Sequence, residues 1–293
     1  MSDRRPRTLD EMPETHPSLP TPGRPAVVLL DLDGVVWLAH QPIAGSVAAI
    51  ARLRAAGVRV LFVTNNSSAT VEDQAAVLGE IGIPAEGDVV TSAMAGARLV
   101  EPGERVLVCG GPGVTQAVER RGAQAVDAGP CDAVIVGFHR DFDYERLRRA
   151  ATAVMAGARL IGTNDDATYP TPDGPIPGGG AILAAVEVGS GTRAVVAGKP
   201  FAPMAALVRE LVATDADGSA GEAAAVSIPT AVMVGDRPST DGRFARELGC
   251  RYAQVWSGVT PTGTTVDPVP DLVADDLAGV VTQLLGPDEH PPV

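Results

Sequence analysis

The sequence contains few cysteines, and their positions exclude two common uses of that residue. The 293 residues include three cysteines, Cys109, Cys131 and Cys250. They are far apart and odd in number, and they lack the paired spacings of a zinc site or of a secreted disulfide framework. This cysteine usage is typical of a protein that works in the reducing cytoplasm.

The sequence also lacks long apolar runs and an excess of basic residues. No run approaches the roughly 18 apolar residues that a membrane helix needs, and the N-terminal stretch lacks the apolar centre of a signal peptide. Lysine and arginine total 23 against 36 acidic residues, a net charge of −13, which disfavours binding to nucleic acid or to an anionic membrane surface. An anionic substrate would therefore need a local positive site or a metal ion.

Short apolar runs and helical patterns alternate along the chain from residue 26. The run AVVLLDLD is followed by AGSVAAIARLRAAG, and VRVLFVTN is followed by TVEDQAAVLGEIG; the same alternation returns from RAVVAGKP to RYAQVW. Repeated βα units of this kind predict an α/β fold, a Rossmann-like parallel sheet with helices on both faces. A separate set of strand and helix patterns lies between the two blocks and predicts an inserted α/β unit.

The predicted units follow from this alternation and from composition. The N-terminal stretch is rich in proline and charge and is expected to be disordered. The small, acidic segment 214–227 has no periodicity and is expected to be an exposed loop. The expected organisation is a leader at 1–24, a catalytic core at 25–103 and 194–286, an inserted unit at 104–193, and a tail at 287–293.

Two apolar runs end in carboxylates. Asp31 and Asp33 come at the end of the first strand pattern, and Gly235 and Asp236 end the pattern TAVMVGD, with Asp241 five residues later. Ligands bind beyond the carboxyl ends of the strands in open parallel sheets. Adjacent carboxylates repel, and a divalent cation beside them offsets the cost of that repulsion. The pattern therefore favours a metal site, although a DxD turn with satisfied carboxylates and a helix N-cap at Asp236 are the plainer interpretations of each motif alone.

Two further strand patterns end in groups that suit a phosphate. The run LFVTNNSS ends in Thr64, Asn65 and Asn66, which offer a hydroxyl and amide donors, and AVVAGKP places Lys199 after a strand and a glycine. A lysine acts as a point charge against phosphate. The alternatives are that Thr64 and Asn65 cap the following helix and that Lys199 is a solvated turn residue.

The four motifs DLDGVVW, TNNS, GKP and GDRPSTD, in this order, make the chain similar to phosphatases of the haloacid dehalogenase superfamily. The extended second and fourth motifs, with an insert between the second and third, resemble subclass IIA of that superfamily. This subclass contains p-nitrophenyl phosphatase-like, phosphoglycolate phosphatase-like and pyridoxal phosphatase-like enzymes. The resemblance covers about residues 26–285 and implies a haloacid dehalogenase-like core with the insert as a C2-type cap.

The resemblance implies a role for the acids of the first and last motifs. Asp31 would attack phosphorus and form a phospho-aspartate. Asp33 would protonate the departing oxygen and then deprotonate the hydrolytic water, and its backbone carbonyl would also bind Mg²⁺. Asp236 would bind Mg²⁺ directly, as would Asp31, and Asp241 would support the metal through water or position Lys199.

The resemblance also implies a substrate-binding set. Thr64 and the backbone N–H of Asn65 would hold the phosphoryl group, with Asn66 beside them, while Lys199 would offset negative charge on the phosphoryl group and on the nucleophile. Phosphoryl transfer depends mostly on positioning and charge stabilisation. In the cap, Tyr169 of the loop TNDDATYPTPDG would contact the leaving group or be an ordinary buried tyrosine.

Other residues of the insert carry weaker signals. Asp165 and Asp166 of the same loop would contact a polar substrate or cap a turn. The glycines at 110–113 lack the spacing of a dinucleotide-binding loop, because position 116 is Gln116, and a strand-to-helix turn is the better interpretation. His139 and His40 match no motif, and we expect a structural or surface role for His139.

The predicted function is Mg²⁺-dependent hydrolysis of a small phosphorylated metabolite by a cytoplasmic phosphatase. By resemblance, the expected substrates are 2-phosphoglycolate, glycerol phosphate or p-nitrophenyl phosphate, with a nucleoside monophosphate, a sugar phosphate or pyridoxal phosphate as alternatives. A phosphotransferase and a non-catalytic phosphate-binding module are more distant alternatives. The resemblance also raises the possibility of a homodimer that pairs through the cap.

Overall fold

The structure is a computed structural model that describes residues 24–171, 173–213 and 228–287. The predicted leader up to residue 23, the acidic loop 214–227 and residues 288–293 of the tail lie outside the described residues. The strands are β1 (Val27–Leu30), β2 (Trp37–Leu38), β3 (Gln41–Pro42), β4 (Arg59–Thr64), β5 (Val89–Thr91), β6 (Arg105–Cys109), β7 (Gln124–Val126), β8 (Ala133–Val136), β9 (Arg159–Gly162), β10 (Thr168–Tyr169), β11 (Ile176–Pro177), β12 (Val195–Val196), β13 (Val232–Gly235), β14 (Arg251–Val255) and β15 (Leu272–Ala274).

Helices separate most of these strands. The α-helices are α1 (Ser46–Ala55), α2 (Val71–Glu80), α3 (Ser92–Ala97), α4 (Pro112–Arg120), α5 (Tyr144–Met155), α6 (Gly179–Ser190), α7 (Ala202–Ala213), α8 (Arg243–Leu248) and α9 (Leu277–Leu285). A 3₁₀ turn at Ile228–Thr230 and a π-helical turn at Pro238–Gly242 complete the set. Within the described ranges, no helix combines the length and the apolar character needed to cross a membrane.

Side-chain caps fix where several helices begin. The Thr70 hydroxyl accepts a hydrogen bond from the N–H of Asp73 at the start of α2 (3.1 Å). The Asp143 carboxylate accepts the equivalent bond at the start of α5. Each cap satisfies one of the N–H groups that the first turn of a helix leaves unpaired, so these helices begin where the sequence supplies a capping side chain.

The first sheet has six parallel strands in the order β15-β14-β13-β1-β4-β5. Strand β1 lies in the middle, with β13 on one side and β4 on the other, and Leu30 pairs with both Val234 and Phe62. The chain moves outward from β1 in one direction through β4 and β5 and in the other through β13, β14 and β15. The carboxyl end of β1 is therefore the point where the strand order reverses, which is where open α/β sheets bind ligands.

Both faces of this sheet are buried. Val28 and Leu30 pack in one hydrophobic cluster with residues of α1, α2 and α9. Val27 and Leu29 pack in the other with residues of α3, α7 and α8. Successive side chains of a strand point to opposite faces, so a strand covered on both sides is apolar throughout. The predicted parallel α/β fold is confirmed.

The second sheet has five parallel strands in the order β12-β9-β8-β6-β7. Residues of α3 and α4 cover one face, and residues of α5 and α6 cover the other. The assignment of the strand in RAVVAGKP to the core was wrong, because β12 pairs with β9 of the second sheet. Apolar periodicity identifies a strand but does not specify its partner. The other boundaries of the inserted unit stay a prediction.

Candidate active site

Three adjacent strands of the first sheet deliver polar residues to one edge. Asp31 follows β1, Thr64 is the last residue of β4, and Asp236 follows β13. The N–H of Asp31 donates a hydrogen bond to the carbonyl of Val234 (3.0 Å), which continues the ladder between β1 and β13 by one residue. The sheet thus sets these side chains beside one another, as their positions after apolar runs predict.

Lys199 lies between two of the acids. Its Nζ donates hydrogen bonds to Oδ1 of Asp31 (2.8 Å) and to Oδ1 of Asp241 (2.7 Å), and the lysine is 1% exposed. Burial acts to lower the pKa of Lys199, but the charges of Asp241 and Asp31 outweigh burial and raise it above its ordinary value. The lysine is therefore a fixed positive charge that holds one oxygen of Asp31.

The backbone of Lys199 is fixed by Asn65. The side chain Oδ1 of Asn65 accepts from the N–H of Lys199 (2.8 Å), and its Nδ2 donates to the carbonyl of Lys199 (3.0 Å). The preceding residue, Gly198, has no room for a side chain, because a Cβ there would lie 2.4 Å from the carbonyl oxygen of Thr163. The glycine of the GKP motif thus allows the close approach of two backbone segments.

Three carboxylates form a group that fits a hard cation. Asp31, Asp236 and Asp241 each place one oxygen within 4.8 Å of the others. Burial raises the pKa of Asp236 to about 6, and the charge of Asp31 adds to the effect. Burial also raises the pKa of Asp241, against the opposing effect of Lys199. Carboxylate oxygens are the ligands that Mg²⁺ prefers, and a divalent cation would offset the negative charge that one lysine leaves uncompensated.

Asp33 has a different environment from Asp31. Burial raises the pKa of Asp33 to about 7, and the charge of Asp31 contributes, while a hydrogen bond from Nε1 of Trp37 (3.2 Å) opposes the shift. A carboxyl group with a pKa near neutrality can both give and take a proton. The two carboxyl groups of the DLDG motif are therefore suited to separate tasks, because Lys199 holds Asp31 while Asp33 can exchange a proton.

Gly34 is the tightest point of the first motif. Its φ is +85°, and a Cβ built at this position would lie 2.6 Å from Cγ of Asp236 and 2.9 Å from Cα of Gly258. The conformation disfavours any residue with a side chain, and the contact would displace the Asp236 carboxylate. The glycine therefore keeps Asp236 next to the end of β1.

Replacing Gly34 by alanine is expected to lower both stability and Mg²⁺ affinity. The matched control is Gly103→Ala, because Gly103 has φ of +86° but a Cβ at that position would meet no atom within 4 Å. Overpacking typically costs about 1–3 kcal/mol, so the unfolding free energy of Gly34→Ala should fall below that of Gly103→Ala by about this amount. Denaturant unfolding and Mg²⁺ titration of phosphate release measure the two effects, and equal behaviour of the two variants would contradict the role of the contact.

A loop of the second sheet roofs the site. Nδ2 of Asn65 donates to Oδ2 of Asp166 (2.9 Å), and Nη1 of Arg237 lies 3.6 Å from Oδ1 of the same carboxylate. The ring of Tyr169 stacks on Phe138, with centroids 4.9 Å apart and 13° between the planes. The segment after β9 is thus tied to the TNNS and GDRPSTD motifs on one side and presents an aromatic wall on the other.

The predicted site residues line one cavity. These are Asp31, Asp33, Thr64, Asn65, Asn66, Tyr169, Lys199, Asp236 and Asp241, and Asp166 joins them. We call this space the catalytic cavity. Asp165 lines a neighbouring cavity instead. His139 is buried, and its Nδ1 lies 2.9 Å from the carbonyl oxygen of Gly137, which agrees with the expected structural role.

Sequence reasoning missed several buried groups that support the site. The hydroxyl of Ser92 and Nδ2 of Asn164 both donate to the carbonyl of Asn65, at 2.7 and 2.8 Å. Nε2 of Gln254 donates to the carbonyl of Asp236 (3.0 Å). None of the three belongs to a local pattern of chemistry-bearing residues, so only the tertiary structure identifies them.

Comparison with known proteins identifies the family. Residues 28–124 match the family described as haloacid dehalogenase-like hydrolase, and residues 196–280 match the HAD-hydrolase-like family. The chain is 38% identical over 262 residues to D-glycerol 3-phosphate phosphatase of Mycobacterium tuberculosis, covering 85% of this chain and 69% of that protein.

Two solved structures agree with that match. A crystal structure of glycerol phosphate phosphatase from M. tuberculosis in complex with magnesium has a TM-score of 0.76 and 33% identity, covering 88% of this chain and 76% of that chain. A 4-nitrophenylphosphatase from Thermotoga maritima has a TM-score of 0.79 and 28% identity, covering 88% and 97% respectively. The chain belongs to the haloacid dehalogenase superfamily of hydrolases. It is a phosphatase, a phosphoric monoester hydrolase, and the predictions of this class and of a magnesium cofactor are confirmed.

Proposed function

We propose that this phosphatase removes phosphate from a small phosphorylated metabolite through a phospho-aspartate on Asp31. The observation that carries the proposal is the contact of Lys199 with Asp31 at the carboxyl end of β1. Lysine holds Oδ1 of Asp31, so Oδ2 is the oxygen left to attack. The approach of a dianionic phosphate to a carboxylate requires positive charge, which Lys199 supplies from the protein side and Mg²⁺ supplies when it is bound by Asp31, Asp236 and Asp241.

The first half of the reaction transfers the phosphoryl group. An oxygen of Asp31 forms a bond to phosphorus while the ester bond between phosphorus and the leaving oxygen breaks, and Asp33 gives its proton to that oxygen. The pKa of Asp33, raised to about 7 mainly by burial, supports this role because the carboxyl group is partly protonated near neutral pH. The product alcohol then leaves.

The second half restores the enzyme. Asp33, now ionised, takes a proton from a water molecule as that water attacks phosphorus, and the bond to Asp31 breaks to release inorganic phosphate. The hydroxyl of Thr64 already accepts a hydrogen bond from the N–H of Asn66 (3.0 Å). Its own proton is therefore free to be donated to a phosphate oxygen. The side chain of Asn65 contacts Lys199 and Asp166, and its backbone N–H would hold the phosphoryl group beside Thr64.

The substrate class follows from the aromatic wall and from the relatives. Phe138 and Tyr169 close the catalytic cavity on the cap side, which suits a compact leaving group. The matches to a glycerol 3-phosphate phosphatase and to a 4-nitrophenylphosphatase support glycerol phosphate, 2-phosphoglycolate and p-nitrophenyl phosphate as the first substrates to test.

Removal of divalent metal is expected to abolish activity. The panel consists of these three esters, a nucleoside monophosphate, a sugar phosphate and pyridoxal phosphate. For each ester that the enzyme hydrolyses, phosphate release should fall at least about 100-fold in EDTA and return with Mg²⁺, because metal binding is worth several kcal/mol of charge stabilisation. Release that persists without metal would contradict the proposal. Transfer of phosphate to an added alcohol in place of water would favour a phosphotransferase.

We further propose that the protein is cytoplasmic and that it pairs through the second sheet. The thiols of Cys109 and Cys250 are free and buried, which supports a reducing compartment.

Val188 of helix α6 and Val195 of the edge strand β12 expose 85% and 56% of their surface. Light scattering that gives the monomer mass of 29.9 kDa would contradict the dimer.

A further inference from the structure

A second cavity adjoins the catalytic cavity on the side of the proton donor. The two cavities share Asp33, Thr64, Asn66, Phe138 and Tyr169. The remaining walls of the second cavity come from Leu32 and the β2–β3 hairpin, from α2 and the segment that leads into it, and from Arg140 of the inserted unit. Since Asp33 protonates the departing oxygen in the proposed reaction, the group attached to that oxygen lies beside Asp33. We therefore call this space the leaving-group cavity.

Two walls of the leaving-group cavity are aromatic. The ring of Trp37 lies on one side, with the ring of His40 against its edge at 5.0 Å between centroids, and the stacked pair Phe138 and Tyr169 lies on the cap side. These rings suit the carbon skeleton of a small leaving group. They do not by themselves choose between a charged and a neutral one.

Arg140 is the arginine among the residues that line the leaving-group cavity. It is exposed and lines the leaving-group cavity, just after the segment that carries Phe138. The other two Lys or Arg side chains of the two cavities have carboxylate partners, Lys199 with Asp31 and Asp241, and Arg237 with Asp166. In the described part of the chain, by contrast, no hydrogen bond or ion pair engages the guanidinium of Arg140.

Arg140, Asp33 and Tyr169 all line the leaving-group cavity. Burial raises the pKa of Tyr169 to about 12, the charge of Asp33 adds to the rise, and the charge of Arg140 opposes it. Both charged groups therefore lie within electrostatic reach of the same hydroxyl. A small leaving group in this cavity therefore shares it with Asp33, Tyr169 and Arg140.

The remaining titratable groups of the leaving-group cavity leave this charge free. Asp73 is the other acid besides Asp33, and its Oδ2 accepts a hydrogen bond from the Thr70 hydroxyl at the start of α2 (2.7 Å). His40 contacts Trp37. The guanidinium is thus available to an anionic group of a ligand, and its planar fork matches a carboxylate with two parallel hydrogen bonds.

We propose that Arg140 is a specificity-determining residue that binds a carboxylate on the leaving group, so that the enzyme prefers phosphate esters of short 2-hydroxy acids. The proposal rests on the proposed function. It predicts a preference among esters that share the phosphate and the bridging CH₂ and differ only in the terminal group. Such a set consists of 2-phosphoglycolate, 2-hydroxyethyl phosphate and phosphoethanolamine, which end in a carboxylate, a hydroxyl and an ammonium.

The test is the kcat/KM of the wild type and of Arg140→Gln for these three esters. The wild type should prefer 2-phosphoglycolate. Arg140→Gln should lower kcat/KM for 2-phosphoglycolate by about 10- to 100-fold, the range expected for a hydrogen-bonded charge pair, mainly through KM. The kcat/KM for 2-hydroxyethyl phosphate should change less than about 3-fold, and the kcat/KM for phosphoethanolamine should rise. Arg140→Lys should recover part of the loss, because lysine keeps the charge but not the fork.

The matched control is Arg243→Gln. Arg243 is also an exposed arginine without a hydrogen bond or ion pair among the described residues, but it lines the neighbouring cavity with Asp165 rather than the one with Asp33. The Arg243→Gln variant removes the same charge, so it separates binding at Arg140 from a general attraction of anions. Its kcat/KM for each of the three esters should stay within about 2-fold of the wild-type value.

Three results would overturn the proposal. These are a wild type without preference for 2-phosphoglycolate, an Arg140→Gln variant with unchanged kcat/KM for all three esters, and an Arg140→Gln variant in which kcat/KM falls by the same factor for all three. If p-nitrophenyl phosphate is still hydrolysed with Mg²⁺ in these cases, the phosphatase proposal stands and only the role of Arg140 fails. If the folded wild type hydrolyses none of the esters, both proposals fail.

Discussion

Replacing Asp31 by asparagine is expected to reduce Mg²⁺-dependent phosphate release by at least about 10⁴-fold, because the amide cannot form the phospho-enzyme and removal of a nucleophile costs rates of this order. Asparagine keeps the size of aspartate, and Lys199 keeps its bond to Asp241. The fold should therefore survive. Steady-state phosphate release from p-nitrophenyl phosphate, with circular dichroism as the check on folding, measures the effect.

Asp33→Asn separates the nucleophile from the proton donor. Nitrophenolate leaves without needing a proton, so Asp33→Asn should still transfer phosphate to Asp31 but should hydrolyse the phospho-enzyme slowly. Rapid mixing should show a burst of about one nitrophenolate for each Asp33→Asn molecule, the fingerprint of an accumulating covalent intermediate. Asp31→Asn should show no burst. Substantial activity in Asp31→Asn would mean that water attacks phosphorus directly and would remove Asp31 from the mechanism.

Replacing Lys199 by methionine is expected to damage stability as well as activity. The lysine is 1% exposed, and its partner Asp241 is fully buried, so the variant leaves buried carboxylates without a counter-charge. Breaking a buried pair in this way typically costs about 3–5 kcal/mol. At roughly 2–4 °C per kcal/mol for a chain of this size, Tm in EDTA should fall by about 10 °C. Activity should fall by about 10²- to 10³-fold, as for the loss of one charge-stabilising group.

The double variant Lys199→Met with Asp241→Asn is the control for this prediction. It removes the lysine together with one of the two carboxylates that the lysine neutralises, so Tm should recover a large part of the loss while activity stays low. Calorimetry of the wild type, the two single variants and the double variant forms a complete cycle. A Lys199→Met protein as stable as the wild type, or a double variant no more stable than Lys199→Met, would contradict the argument.

The sequence allows the acids of the active site to be predicted because their positions are local. Asp31 and Asp236 each come directly after an apolar strand, and parallel strands bring their carboxyl ends to one edge of a sheet. The sequence did not decide whether the carboxylate of Asp241 contacts a metal ion or Lys199. Oδ1 of Asp241 lies 2.7 Å from Nζ of Lys199, and Asp241 also belongs to the group of three carboxylates that fits a metal ion, so both contacts are geometrically available.

The contacts between distant segments could not be predicted. The bond between Asn65 and Asp166 joins residues 101 positions apart, and neither residue has a local pattern that names the other. The same holds for β12, whose apolar residues were recognised as a strand but were assigned to the wrong sheet. Periodicity reports which face of an element is buried, whereas the choice of neighbour depends on how whole layers pack. No local pattern singles out Arg140 for the same reason, because the role proposed for it depends on the residues that lie across the leaving-group cavity.

Helix α3 is made almost wholly of small residues and belongs to two hydrophobic cores. Ala95 packs with the first sheet, while Ala93 and Ala97 pack with the second. Ser92, at the start of the same helix, bonds to the carbonyl of Asn65 in the active site. The two sheets therefore share part of their stability, since neither can lose its packing without disturbing this helix. Tight binding at the active site should protect both sheets against unfolding as a single cooperative unit.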